Sequence, residues 1–154
     1  GLVDESHQWA PAEMRPNDQT EWYFNRLRDT HDLFHVLTGY GRDALGEACL
    51  LGFSYEQNHN LGVIFIAYAG AHQIKKVSGT TAPIYAAVRE GQRLGRAAAK
   101  IAHEDVEALM REDIDEARAR IGIGEPKAYR ACLKQLEGEG YTSSELGLSA
   151  PKPA

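Results

Sequence analysis

Apolar positions recur along most of this chain at the three- and four-residue steps of helices, and no run shows the sustained alternation of a sheet. Asp18 and Glu21 have capping-box spacing, so a first helix is predicted to begin there and to run to about Thr38. On it, Tyr23, Leu27, Thr30 and Phe34 form one stripe. Phe24, Arg28, His31 and His35 run beside that stripe, which places the histidines at the border of the buried face. Thr38-Gly39-Tyr40-Gly41 reads as a tight connection. A second helix follows from about Arg42 to Gln57. Its internal Gly46 and Gly52 cost helix propensity, which close approach of another backbone or a ligand would explain as well as simple tolerance does. After the polar break Asn58-His59-Asn60, a third helix is predicted from about Leu61 to Val77.

Thr81 before Pro83 opens a fourth helix, expected to reach about Ala102, with Gly91, Gly95 and Ala99 forming a ridge of small residues for close helix packing. A fifth, amphipathic helix is expected to bury Val106, Met110, Ile114, Ala117 and Ile121 and to stop at Gly122 and Gly124. Pro126 opens a last helix to about Glu137. The expectation is an all-α protein: a small helical domain of about five to six helices over residues 18–137, with an irregular arm at 1–17 and a flexible tail at 138–154.

Composition narrows the function. A net charge of -5, from 17 basic and 22 acidic residues, with no basic cluster interleaved with aromatics, argues against nucleic-acid binding. Cys49 and Cys132 sit in apolar helical contexts and read as buried free thiols of an intracellular chain. The first twenty residues are polar, contain Pro11 and Pro16, and lack the pattern of a signal peptide. The longest apolar stretch, Leu61 to Ala71, is short of the roughly 20 residues a bilayer needs. It reads as a buried core helix, with the wall of a lipid-binding cavity as the alternative.

One constellation carries chemistry. Residues 31–35 are His-Asp-Leu-Phe-His. At about 100° per residue, His35 projects about 40° and Asp32 about 100° from His31, so the three share one quadrant. Glu47 lies twelve residues after His35, past the glycine turn, and a hairpin there returns it to the first helix. Two imidazoles and two carboxylates at one point suit zinc, iron, manganese or cobalt better than calcium, which prefers oxygen ligands alone. The plainer readings are Asp32 as a partner of Arg28 and Glu47 as a favourable charge in a first helical turn. Arg28, one turn before His31, is a candidate for an anionic substrate group. Tyr40, His59 and His72 are lesser candidates for lining the site.

The stretch Arg28-Asp29-Thr30-His31-Asp32-Leu33-Phe34-His35-Val36-Leu37-Thr38-Gly39, followed by Leu45-Gly46-Glu47, resembles the ubiquinone biosynthesis protein Coq4 family. Its signature, His-Asp-x-x-His, eleven residues, then Glu, is matched without a gap by His31, Asp32, His35 and Glu47. The resemblance runs from about Thr20 to Tyr129. It implies a divalent metal at those four residues, usually zinc, with iron(II), manganese(II) or cobalt(II) also compatible. It also implies a helical homodimer with affinity for long isoprenoid lipids, peripheral on the inner face of the bacterial cytoplasmic membrane or the matrix side of the mitochondrial inner membrane, among other ubiquinone-biosynthesis enzymes. The implied reaction is oxidative decarboxylation of a prenylated 4-hydroxybenzoate-derived intermediate, the C1 carboxyl being replaced by hydroxyl. The alternative is a non-catalytic, isoprenoid-lipid-binding scaffold with a structural metal. Metal phosphohydrolases with a helical His-Asp pair fit poorly. They need a further upstream histidine and a downstream aspartate, and here the pair is followed by His35 and Glu47.

Overall fold

The computed structural model describes residues 31–141. The expected arm, the start of the first helix with Arg28, and the last thirteen positions of the expected tail lie outside the described residues. The chain forms two compact units, residues 1–33 and 34–154. Of the first, only residues 31–33 are described, as helix running on without a break into residue 38.

All regular structure among the described residues is helical, in seven α-helices. The helical residues 31–38 are α1. They are followed by α2 (Ala44–Asn58), α3 (Leu61–Ser78), α4 (Ile84–Ala97), α5 (Val106–Leu109), α6 (Ile114–Ile121) and α7 (Lys127–Gly138). A 3-10 turn, Ile101–His103, joins α4 to α5.

Helix α2 is the axis of the core. Its Leu45, Cys49, Leu50 and Phe53 are wholly buried, and Phe53 meets Phe34 of α1 edge-on at 5.7 Å between ring centres. The neighbour that α2 contacts most is α4, and small residues set the distance of that crossing. A Cβ on Gly91 would stand 2.3 Å from the Cys49 carbonyl oxygen, and one on Gly95 would stand 2.4 Å from that of Phe53. The glycine ridge therefore serves close helix packing, although its third expected member, Ala99, lies beyond the end of α4.

Helix α4 stops at Ala97 rather than near Ala102 because the following segment has other partners. The Ala99 N–H donates to the Ile121 carbonyl at 2.8 Å. The Lys100 ammonium donates to the Glu56 and Gln57 carbonyls at 2.6 and 2.8 Å, closing the C-terminal end of α2. Gln57, itself buried, receives the Ile101 N–H and donates to the Gly95 carbonyl.

Two further expectations are corrected. The single amphipathic helix from Val106 to Ile121 is broken into α5 and α6, because the Asp113 carboxylate captures the Asp115 and Glu116 N–H groups at 2.9 and 3.2 Å and starts a new helix. Met110, expected in its core stripe, is exposed. The apolar third helix is not buried: only Ala67, Ala71 and Ile74 of α3 are, while Leu61, Phe65, Ile66 and Val77 stand in the open. Helix α3 meets α2 and α4 on the side that carries Ala67, Tyr68, Ala71 and Ile74, with Tyr68 donating to Gln92 of α4 at 2.8 Å, and leaves Leu61, Phe65, Ile66 and Val77 exposed. Among the described residues, no helix is long and apolar enough to cross a membrane. Cys49 and Cys132 are buried free thiols, as their contexts implied.

Candidate metal centre

The site grows from how α1 ends and α2 begins. Helix α1 closes as the Gly39 N–H donates to the His35 carbonyl at 2.9 Å. Asp43 then caps α2: its Oδ1 accepts from the Leu45 and Gly46 N–H groups at 3.1 and 3.0 Å. The turn between them is tight enough that a Cβ on Gly46 would stand 2.1 Å from the Gly41 carbonyl oxygen. Close backbone approach is thus the reason for glycine at position 46. Glu47 sits in the first turn of α2, where the helix N-terminus favours a carboxylate.

This turn returns α2 alongside α1. His35 Nε2 lies 3.1 Å from Glu47 Oε1. The other ring nitrogen, Nδ1, is 3.0 Å from the Tyr40 carbonyl oxygen. A carbonyl can only accept, so Nδ1 carries the proton and, in the neutral ring, the Nε2 lone pair faces Glu47. His31 is one helical turn earlier on α1. His31, His35 and Glu47 each offer a ligand atom, all within 4.8 Å of one another. His35 is buried, while His31 and Glu47 are part-exposed, so the group is anchored on one side and open to solvent on the other.

The donor set suits a divalent metal. Two ligands each about 2.1 Å from an ion, at a tetrahedral angle, stand about 3.4 Å apart. The 3.1 Å between His35 Nε2 and Glu47 Oε1 is close to that spacing. A ligating histidine whose second nitrogen is held by a backbone carbonyl is also the usual arrangement around bound metals.

The model of the family described as coenzyme Q (ubiquinone) biosynthesis protein Coq4 matches residues 7–127, well over half of the chain. This chain belongs to the Coq4 family. No curated protein and no solved structure matches it.

Of the four residues matched to the Coq4 signature, the structure brings His31, His35 and Glu47 together. Asp32 is not in that group. It lies on the exposed side of α1, with its Oδ1 3.9 Å from His31 Nδ1. Arg28 lies outside the described residues. His59 and His72 are elsewhere: His59 ends α2 in a left-handed conformation, and His72 pairs with the Tyr85 hydroxyl at 3.2 Å on the surface of α3. Tyr40 contributes its carbonyl, while its ring is buried against Tyr129 at 5.3 Å. Sequence reasoning missed Asp43 and Tyr129. An aspartate just before a helix was a legible capping signal for the first; nothing in the spacing pointed to Tyr129, 86 residues from Asp43.

Proposed function

We propose that this Coq4 chain is a metal-dependent enzyme of ubiquinone biosynthesis that replaces the C1 carboxyl of a prenylated 4-hydroxybenzoate-derived intermediate by hydroxyl. The observation that supports it most is the convergence of His31, His35 and Glu47 beside a carbonyl that sets the tautomer of His35. These three would hold the ion, zinc before iron, manganese or cobalt, with Asp32 orienting His31 or joining as a fourth ligand. The ion, when bound, supplies Lewis acidity toward the carboxylate or phenolate of the aromatic ring. The carboxyl leaves as carbon dioxide and the ring carbon gains a hydroxyl, a two-electron oxidation whose oxidant is an external co-substrate such as dioxygen; the chain's own residues bind and orient. Tyr40 keeps the His35 Nε2 lone pair directed toward Glu47, and the Glu47 carboxylate adds a negatively charged oxygen ligand for a divalent cation. His31 and Glu47 are part-exposed, so a substrate can reach the group from solvent. Arg28, three residues before His31 in the sequence, remains the candidate for the anionic group of the substrate.

The scaffold reading draws on a different observation, the uncovered Leu61, Phe65, Ile66 and Val77 of α3. An apolar helix face of that kind suits a second copy of the chain or the isoprenoid tail and surface of a membrane. Homodimerisation, peripheral membrane contact and association with other ubiquinone-biosynthesis enzymes belong to both readings.

The test pairs metal analysis with complementation. Protein purified without added metal should carry about one divalent ion per chain, and the double variant H31A/H35A should carry none. In cells lacking the native gene, E47Q and D32N should express as folded protein yet fail to restore ubiquinone. Normal ubiquinone from well-expressed, metal-free E47Q would refute catalysis and leave the scaffold.

A further inference from the structure

The candidate site is held from a third direction, by a residue of α7 that lies beyond the residues matched to the family. The Tyr129 hydroxyl donates to Asp43 Oδ2 at 2.6 Å and accepts from the Gly41 N–H at 3.0 Å. Both of those groups belong to the turn between α1 and α2. The neighbouring residue in that turn, Tyr40, presents the carbonyl that orients His35. The same Asp43 uses its other oxygen to cap the helix that carries Glu47 in its first turn, and its carbonyl accepts the Glu47 N–H at 2.9 Å.

Tyr129 is itself fixed at both ends. Its backbone N–H, with that of Ala128, donates to Glu90 Oε2 of α4 at 3.2 and 2.7 Å, so a buried carboxylate from α4 caps the start of α7. Its ring is buried and meets the Tyr40 ring edge-on. Burial, and then the bond to Asp43, push the hydroxyl's pKa well above its ordinary value, so it remains a donor. The groups are packed closely around Gly41: a Cβ there would stand 2.6 Å from both the Tyr129 hydroxyl and Asp43 Oδ2.

We infer that Tyr129 is a positioning residue of the metal site. It acts through Asp43 and Gly41 to hold the turn that aims His35 and Glu47 at one point. The inference rests on the metal reading for its consequence, and on the hydrogen-bond geometry for its mechanism. Removing the hydroxyl takes this partner from the buried Asp43 Oδ2 and from the Gly41 N–H, and loosens Tyr40 and the first turn of α2 together. Outer groups that orient metal ligands typically contribute 10- to 100-fold to metal affinity. Acting at one further remove, Tyr129 is expected near the lower end.

The test uses Y129F and the milder D43N, whose amide can still cap α2, in the full chain. Cobalt(II) titrated into the metal-free protein, followed by its visible absorption, should bind about tenfold more weakly to each variant than to the native chain. In metal-free protein, nuclear magnetic resonance should find the His35 Nδ1 proton protected from exchange in the native chain and faster exchanging in both variants. Leu136→Ala, a core truncation in the same helix, controls for general loosening: it should lower the melting temperature without moving either readout. Unchanged cobalt affinity and unchanged Nδ1 exchange in both variants would overturn the inference. So would L136A changing both readouts as much as Y129F. A native chain that takes no cobalt, while the exchange arm responds as stated, would leave the positioning role standing and sink the metal reading alone.

Discussion

Replacing Gly46 by alanine puts two effects of opposite sign against each other. Helix propensity alone favours alanine over an internal glycine by about 1 kcal/mol. The geometry opposes it, because the new Cβ would stand 2.1 Å from the Gly41 carbonyl oxygen and 2.9 Å from the Gly41 nitrogen. Those atoms are backbone, so no side-chain rotation relieves the clash; the turn or the first part of α2 must move. Overpacking of this kind costs about 1–3 kcal/mol, and a backbone obstacle places it at the upper end. The net expectation for G46A is a loss of about 2 kcal/mol. At this chain length that is a fall of about 4–8 °C in melting temperature. Gly70 supplies the contrast. It is also internal to a helix, but the nearest atom to its Cβ would be the Ala48 Cβ at 4.0 Å, an ordinary contact. G70A should therefore gain up to about 1 kcal/mol and melt about 2–4 °C higher. Thermal and urea unfolding followed by circular dichroism measure both, with an unchanged urea slope confirming that native stability has moved. If G46A proves as stable as the native chain, or if the two variants shift in the same direction, the close approach of α2 to its own preceding turn is not what the structure says it is.

Two other predictions concern how the ends of α2 and α1 are tied to other helices. Arg96 hydrogen bonds hold the Glu56 carboxyl below its usual value, so its stabilisation is present above the ordinary Glu range near pH 4.5 and is lost as pH falls through the lowered folded value. E56Q should cost about 1 kcal/mol at neutral pH, since Arg96 is largely exposed, and should flatten the acid limb of a stability-versus-pH curve; an unchanged acid limb would refute this. Arg118 of α6 donates to the Leu37 and Val36 carbonyls at 2.9 and 3.0 Å, closing the end of α1 just after His35. R118A should cost about 1–2 kcal/mol by urea unfolding, with R118K recovering less than half because one ammonium lacks the guanidinium fork; full recovery by lysine would show that charge alone matters.

Much of this protein is legible along the chain because it is local. The helical class, the breaks at Gly39–Gly41 and Asn58–Asn60, and the i,i+4 placement of His31 and His35 follow from spacings shorter than two helical turns, where backbone geometry leaves few alternatives. The convergence of Glu47 on His35 was foreseeable for the same reason, since a turn of a few residues between two helices allows little but a return.

Only the tertiary structure decided the rest. That Asp32 faces outward beside His31 depends on how α1 is rotated over the core, which a quadrant on a helical wheel does not specify. The division of the expected fifth helix depends on Asp113 finding backbone donors to cap, and the end of α4 depends on Lys100 and Ala99 finding carbonyls in other elements. The apolar α3 was expected inside because apolar side chains are buried when a neighbour is there to cover them; the fold covers the side with Ala67, Ala71 and Ile74 and leaves Leu61, Phe65, Ile66 and Val77 exposed. Gly46 and Tyr129 are the clearest cases. The need for a glycine at one position and a hydroxyl at the other arises from atoms brought within bonding or clashing distance across the turn and from α7, and no periodicity in a linear pattern encodes such a meeting.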